Sequence, residues 1–181
     1  WKGMFLIGFH IRMGTSGGTF KDTHIFLHPH DVYRYANKAE AFMEEHHLNI
    51  NNTRWLISTD ADKAETMLRE KYGDLIVTSN EYHRGHSKTG ARDADGFSRA
   101  VIDMLILAQC DYLILTSHST YSVMARTMRK AGSDFVMMTS RGYNWICLFD
   151  SLFRTVPLSR SNKFIKQSHK HISQVLTQKN P

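Results

Sequence analysis

The sequence lacks long apolar runs and a signal peptide and contains few cysteines, and each of these features bears on the class of protein. The longest apolar runs are far too short to cross a bilayer, which excludes a membrane span within these residues. The first residues lack the basic region and the small-residue cleavage site of a signal peptide. The only two cysteines, Cys110 and Cys147, can pair or stay reduced, so they give little guidance on the redox compartment.

Repeats, low-complexity tracts and an internal domain boundary are also missing, so residues 1–181 are expected to form a single domain. An apolar content of 41% with 22% charged residues is typical of a globular protein. Basic residues outnumber acidic ones by 23 to 17, which favours an anionic partner: a phosphorylated small molecule, a nucleic acid or an acidic glycan. The chain starts directly on a segment typical of a central strand, so we expect a fragment of a longer protein.

Strand-like and helix-like segments alternate along the chain. Predicted strands lie at about residues 4–9, 54–59, 75–78, 112–116 and 135–138, and predicted helices at about 31–47, 62–72, 96–109 and 120–130. Asp31 is placed to cap the first helix. This alternation predicts an α/β fold, a Rossmann-like parallel sheet with helices on both faces. Residues 148–181 are interpreted as a basic helical C-terminal extension.

Polar residues stand where the predicted strands end, the edge at which open α/β sheets bind ligands. His10 and Arg12 follow the first strand, and the planar guanidinium of Arg12 suits two phosphate oxygens. A salt bridge to a neighbouring loop is an equally good interpretation of Arg12. Asp60 ends the second strand, where Asp60 or Asp62 as the cap of the next helix is a more ordinary role than ligand binding.

Asp103 is a carboxylate within a strongly apolar helical segment. Burying it without a partner would cost roughly 2 to 7 kcal/mol, so a donor is required. The N1–H and N2–H groups of a guanine would be such donors, and a surface ion pair with Arg99, one helical turn away, is the alternative. The residues alone slightly favour the surface pair.

The segment Thr116-Ser117-His118-Ser119-Thr120 joins an apolar strand to a helix. Hydroxyl groups and free amides at a helix N-terminus favour an anion, which makes Ser117, Ser119 and Thr120 candidate phosphate ligands. Ser119 or Thr120 as a simple N-cap is the ordinary alternative. Because the carboxyl ends of parallel strands share one edge, Arg12, Asp60 and Ser119 are predicted to face one crevice.

The order of these motifs resembles the GDP-fucose-binding domain of fucosyltransferases of the α1,6, α1,2 and protein-O type, with the α1,6 enzymes of N-glycan cores nearest. The likeness covers about residues 5–130. It consists of His10-Ile11-Arg12, His28-Pro29, Ser58-Thr59-Asp60, Ala100-Val101-Ile102-Asp103, the run from Ala108 to Thr116, and Ser119-Thr120.

The resemblance implies the second, Rossmann-like domain of a two-domain GT-B enzyme, whose N-terminal acceptor-side domain is absent from this chain. Such enzymes transfer fucose from GDP-fucose to a glycan hydroxyl with inversion, and without a metal or another cofactor. It implies that Arg12 holds the β-phosphate and stabilises departing GDP, while His10 lines the nucleotide site. Asp103 would receive the guanine, which reverses the surface-pair interpretation, and Ser119 with Thr120 would hold phosphate oxygens.

Two departures from the family pattern concern phosphate binding and the base. Met13 stands where many relatives carry a second basic residue, so phosphate binding is expected to be weaker or shared with Lys21. Phe20 stands where the α1,6 enzymes offer a carboxylate, which leaves Asp22 as the candidate catalytic base. A catalytically inactive nucleotide- or glycan-binding module is therefore the alternative. A nucleic-acid-binding α/β domain ranks last, because the basic residues are scattered without a recognition motif.

The triplet Asn51-Asn52-Thr53 matches the N-glycosylation pattern and falls between a predicted helix and strand. Such a triplet is expected in a secretory-pathway protein, although it often occurs by chance. The family resemblance implies the Golgi lumen, with a membrane anchor on a part of the protein outside these residues.

Overall fold

A computed structural model of the chain describes residues 3–14, 25–79, 83–84, 93–129 and 133–140. The predictions for Lys21, Asp22, Cys147 and residues 148–181 lie outside these ranges and stay predictions.

The core of the protein is a five-stranded parallel sheet. Its strands are β1 (Phe5–Ile11), β2 (Thr53–Thr59), β3 (Ile76–Val77), β4 (Tyr112–Thr116) and β5 (Phe135–Met138). The spatial order is β3-β2-β1-β4-β5, and every neighbouring pair is parallel. This order makes β1 central and reverses the winding direction beside it, which confirms the predicted Rossmann-like α/β fold.

Within the described ranges, four α-helices cover the two faces of the sheet. They are α1 (Val32–Glu45), α2 (Asp62–Tyr72), α3 (Ala94–Leu107) and α4 (Thr120–Met128). Helices α1 and α2 pack on the face that buries Ile7 and Phe9, whereas α3 and α4 pack on the opposite face around Leu113 and Leu115. Side chains at alternate positions of β1 thus pack into two separate cores, one on each face of the sheet, as expected for a covered central strand.

The structure corrects the expected capping of α1 and the expected start of α3. Asp31 occupies the predicted N-cap position of α1, but its side chain makes no capping hydrogen bond to that helix. Its carboxylate instead accepts hydrogen bonds from His28 N, Ser140 Oγ and Arg34 Nη1. Helix α3 begins at Ala94, two residues earlier than predicted, because the Asp93 carboxylate accepts a hydrogen bond from Gly96 N at 3.0 Å. None of the helices in the described ranges is long and apolar enough to span a bilayer.

Gly8 allows the end of α3 to pack closely on the middle of β1. A Cβ atom at this position would lie 2.7 to 2.8 Å from Leu113 Cδ2, Cys110 Sγ and Leu107 Cδ2. Gly8→Ala is therefore expected to lower the free energy of unfolding by about 1 to 3 kcal/mol, measured by urea denaturation. The double variant Gly8→Ala/Cys110→Ala removes one of the three clashes and should recover part of the loss. Equal stability of wild type and Gly8→Ala would contradict this packing.

Candidate functional site

In a doubly wound sheet the ligand crevice is expected at the carboxyl ends of the two strands beside the switch point, which here are β1 and β4. The pairing of β1 with β4 stops at His10 and Leu115, while its pairing with β2 continues to Ile11 and Thr59. Beyond that point β4 stays with β5, since Ser117 N donates to Met138 O at 2.8 Å. This is the switch point of the doubly wound sheet, where such folds place their ligands.

Arg12 lies at the mouth of this crevice, directly after β1. Its backbone N–H donates to Thr116 Oγ1 at 2.9 Å, and its Nε lies 3.4 Å from Asp60 Oδ2. The guanidinium also stands over the ring of Phe26, at 5.6 Å from its centroid. The salt bridge expected as one alternative therefore exists, and the Arg12 side chain is 21% exposed.

Asp60 holds the turn that follows β1 instead of capping a helix. Its two carboxylate oxygens accept hydrogen bonds from Met13 N at 2.8 Å and Gly14 N at 2.9 Å. The N-cap of α2 is Ala61 and carries no side-chain cap, while Asp62 pairs with Arg84, so the capping interpretation is wrong for both aspartates. Gly14 has φ +66°, a left-handed conformation that glycine adopts without strain.

Met13 is fully buried in the core between the sheet and helices α1 and α2. Its side chain is therefore not among those that face the crevice. Met13 therefore supplies no charged group at this end of the sheet.

His10 is buried on the face of the sheet covered by α4. Its Nδ1 is hydrogen-bonded to Ser122 Oγ at 2.6 Å, and its ring stacks on Tyr121 with centroids 4.6 Å apart. Burial, and secondarily the charge of Arg12, lower the pKa of His10 to about 3. The imidazole is therefore neutral at physiological pH.

This buried imidazole makes folding stability depend on pH. Between its ordinary pKa of 6.5 and about 3 the unfolded chain binds a proton that the folded protein does not, so stability falls as pH falls through that window. From pH 7.5 to 5 the wild type should lose about 2 kcal/mol more than His10→Gln, measured by urea denaturation. Parallel pH profiles of the two proteins would contradict a neutral His10.

Asp103 is 6% exposed and lies within a buried polar group beside the end of β2. Ser79 Oγ donates to its Oδ1, and Arg99 Nε lies 3.9 Å from its Oδ2. The expected pair with Arg99 therefore exists, but the prediction that it lies on the surface is wrong because both side chains are buried. Burial raises the pKa of Asp103, against the opposing effects of Ser79 and Arg99.

The loop between β4 and α4 presents hydroxyl groups at the helix N-terminus. Ser119 occupies the N-cap position, yet its side chain makes no capping hydrogen bond, so the ordinary capping interpretation is wrong for it. His118 has φ +60°, an uncommon conformation for a non-glycine residue. Ser117 is 5% exposed, and its Oγ finds no hydrogen-bond partner among the described residues.

Arg12, Asp60 and the residues from Ser117 to Thr120 thus lie at the carboxyl ends of three adjacent strands, whereas Asp103 lies on α3. Arg12 and Asp60 are in direct contact, and the segment from Ser117 to Thr120 follows β4. Lys21 and Asp22 are outside the described residues. Within the described ranges no group of three or more His, Cys, Asp or Glu side chains is placed to hold a metal ion.

Sequence reasoning missed the structural roles of Thr116, Tyr35 and Tyr121. Tyr35 OH lies 2.7 Å from Thr116 Oγ1, and Tyr121 OH donates to Ala100 O at 2.6 Å. Tyr35 belongs to the ordinary apolar face of a helix, and no spacing marks it as different from its neighbours. Its hydroxyl partner is 81 residues away in the chain.

Comparisons with known proteins extend this description only slightly. No protein-family model and no curated protein sequence matches the chain. Among solved structures, the chain is similar to the α1,6-fucosyltransferase NodZ co-crystallised with GDP, with 19% identity over 70% of this chain and 36% of the other and a TM-score of 0.44. Fucosyltransferase NodZ from Bradyrhizobium gives the same values, and NodZ soaked with GDP-fucose gives 19% identity, 71% and 37% coverage and a TM-score of 0.44. The chain spans little more than a third of these proteins, and its fold assignment rests on its own strand order.

Proposed function

We propose that this chain is the GDP-fucose-binding domain of a glycosyltransferase that transfers fucose to a glycan hydroxyl. The observation that carries the proposal is the placement of Arg12 at the mouth of the switch-point crevice, fixed from both sides and still partly accessible. Ser117 Oγ, which has no hydrogen-bond partner among the described residues, belongs to the segment that follows β4 and would be a further donor to an anionic ligand. The ordered motifs that resemble fucosyltransferases favour GDP-fucose among such ligands.

The proposed reaction needs a cation beside the leaving group. The acceptor oxygen forms a bond to C1 of fucose from the face opposite GDP, the bond from C1 to the β-phosphate oxygen breaks, and the configuration inverts. The bonding electron pair leaves with GDP, where the guanidinium of Arg12 would stabilise the growing charge in place of a metal ion. The hydroxyl proton passes to a base, for which Asp22 is our candidate.

The remaining site residues would bind the nucleotide. Asp103 would accept hydrogen bonds from guanine N1–H and N2–H, since a buried carboxylate is strengthened as an acceptor by its low-dielectric surroundings. His10 would line the site as a neutral ring. Ser117, Ser119 and Thr120 would donate to phosphate oxygens at the N-terminus of α4.

Calorimetry with the 181-residue chain tests this proposal. We expect GDP to bind more tightly than UDP and ADP, because only guanine offers two adjacent N–H donors to Asp103. Asp103→Asn should reduce the preference for GDP, while Asp74→Asn, an exposed aspartate on the 3-10 turn Gly73–Leu75, serves as the control. Equal affinity for the three nucleotides would contradict the proposal.

A catalytically inactive nucleotide- or glycan-binding module is the second candidate. It is favoured by Met13, whose buried side chain supplies no second cation to the crevice. Transfer of fucose, or release of fucose from GDP-fucose, by a protein that joins this domain to an acceptor-side domain would exclude it. GDP binding without either reaction would support it.

We further propose that the protein is located in the Golgi lumen, with Asn51 as a glycosylated residue. Asn51 is exposed on the 3-10 turn Ile50–Asn52, which directly precedes β2. The turn therefore lies at the amino end of β2, whereas the crevice is at the carboxyl ends of the strands. Expression through a eukaryotic secretory pathway should give a band that an N-glycosidase shifts, and Asn51→Gln should abolish that shift. Asn52→Gln is the matched control and should keep it. A wild-type protein without a shift, or a shift that persists in Asn51→Gln, would contradict the assignment.

A further inference from the structure

Thr116 is the last residue of β4 and lies where β4 leaves β1. The pairing of the two strands ends at Leu115, and the next residue is in register with Met138 of β5 instead. At this position the backbone of β4 no longer bonds β1. The side chain of Thr116 connects β4 to β1 instead.

The hydroxyl of Thr116 has all of its hydrogen-bonding capacity occupied. It donates to His10 O at 2.8 Å and accepts from Arg12 N at 2.9 Å. A hydroxyl has one proton and two acceptor positions, so the contact with Tyr35 OH at 2.7 Å must be donated by the tyrosine. Thr116 therefore fixes the backbone on both sides of Ile11, and Tyr35 fixes Thr116.

Tyr35 connects this arrangement to helix α1. It is fully buried in the core between the sheet and α1, and burial raises the pKa of its phenol, so it remains a donor at physiological pH. Its ring also contacts the ring of Phe9 at 6.1 Å between centroids. The orientation of Tyr35, and with it that of Thr116, is set by core packing.

We propose that Thr116 and Tyr35 are positioning residues that hold Arg12 at the crevice mouth for the terminal phosphate of a nucleoside diphosphate. The inference rests on the proposed function, because it assumes that Arg12 binds that phosphate. Asp60 holds the turn after Arg12 from the β2 side, and the Thr116 hydroxyl holds the start of Arg12 from the β4 side. Both contacts are made by buried polar groups, which restrict the backbone at this point.

The test compares GDP with GMP, because the two ligands differ only in the phosphate assigned to Arg12. Thr116→Val keeps the shape of the side chain and removes the hydroxyl, and it should weaken GDP binding about tenfold with little change for GMP. Thr116→Ser retains the hydroxyl and should bind GDP within about twofold of the wild type. Tyr35→Phe should fall between the two variants.

A double-mutant cycle separates positioning from general destabilisation. If Thr116 acts through Arg12, Thr116→Val should cause no further loss of GDP affinity in an Arg12→Ala background. Equal losses for GDP and GMP, or fully additive effects of the two substitutions, would overturn the proposal.

Amide hydrogen exchange in the ligand-free protein gives a readout that does not depend on the proposed function. Thr116→Val should increase the exchange rate of the Arg12 amide at least tenfold, while the Val123 amide, bonded to Ser119 O, keeps its rate. If the wild type binds no GDP, the proposed function fails, and the exchange of the Arg12 amide still decides whether Thr116 positions this residue. An unchanged Arg12 amide would overturn the positioning role.

Discussion

Arg12→Ala is expected to weaken GDP binding by about 10- to 150-fold, the loss of a charge-assisted hydrogen bond of roughly 1.5 to 3 kcal/mol. The substitution removes the guanidinium at the crevice mouth together with its ion pair with Asp60. Isothermal calorimetry with GDP measures the effect.

Two matched variants show whether the loss comes from the guanidinium at this position. Arg12→Lys keeps the charge but not the planar fork, so its affinity should lie between those of the wild type and Arg12→Ala. Arg54→Ala removes an arginine whose guanidinium bonds the carbonyl oxygens of Ile50, Asn51 and Thr53 at the opposite edge of the sheet, and it should leave GDP affinity unchanged. An equal loss in Arg54→Ala would point to net charge instead of a specific contact.

Asp60→Ala is expected to lower the free energy of unfolding by about 3 kcal/mol, because hydrogen bonds to charged groups contribute roughly 1.5 to 3 kcal/mol each. The substitution leaves two buried backbone donors, Met13 N and Gly14 N, without their acceptor and removes the ion pair with Arg12. Asp60→Asn keeps one acceptor oxygen and should lose about half as much. Urea denaturation at neutral pH measures all three proteins.

Asp62→Ala is the control for Asp60, two residues away along the chain. The Asp62 side chain is 67% exposed and pairs with Arg84, so its removal should cost less than about 1 kcal/mol. If both alanine variants lose the same stability, the backbone amides held by Asp60 are not the source of the effect. In that case the turn after β1 would be held by its other contacts.

The strand and helix pattern was predictable because it depends on local periodicity. The positions of β4, α2 and β5 agree with the sequence prediction to the residue, and α3 differs at its start through the cap at Asp93. Right-handed crossovers between strands that alternate with helices predict a parallel sheet, whereas its order, β3-β2-β1-β4-β5, comes from the structure. The location of a ligand crevice at the carboxyl ends of β1 and β4 follows from that order.

The roles of the individual site residues were less predictable. Asp60 has the local sequence context of a helix cap, and its role as the anchor of the turn after β1 appears only in the fold. From the residues alone, Asp103 and Arg99 were interpreted as a surface pair, because their spacing shows which face they share but not what covers that face. In both cases the partner or covering element comes from another part of the chain.

The sequence by itself determined the α/β alternation, the charge and hydroxyl groups at the strand ends and the apolar content of the core. The tertiary structure alone decided which of these groups meet. Asp60 reaches an amide 47 residues away and Thr116 reaches one 104 residues away, so their hydrogen bonds exist only once β2 and β4 flank β1. Sequence periodicity predicts only which residues share a face of one helix or one strand. The position of Arg12 depends on contacts between strands, which form only when the sheet is assembled.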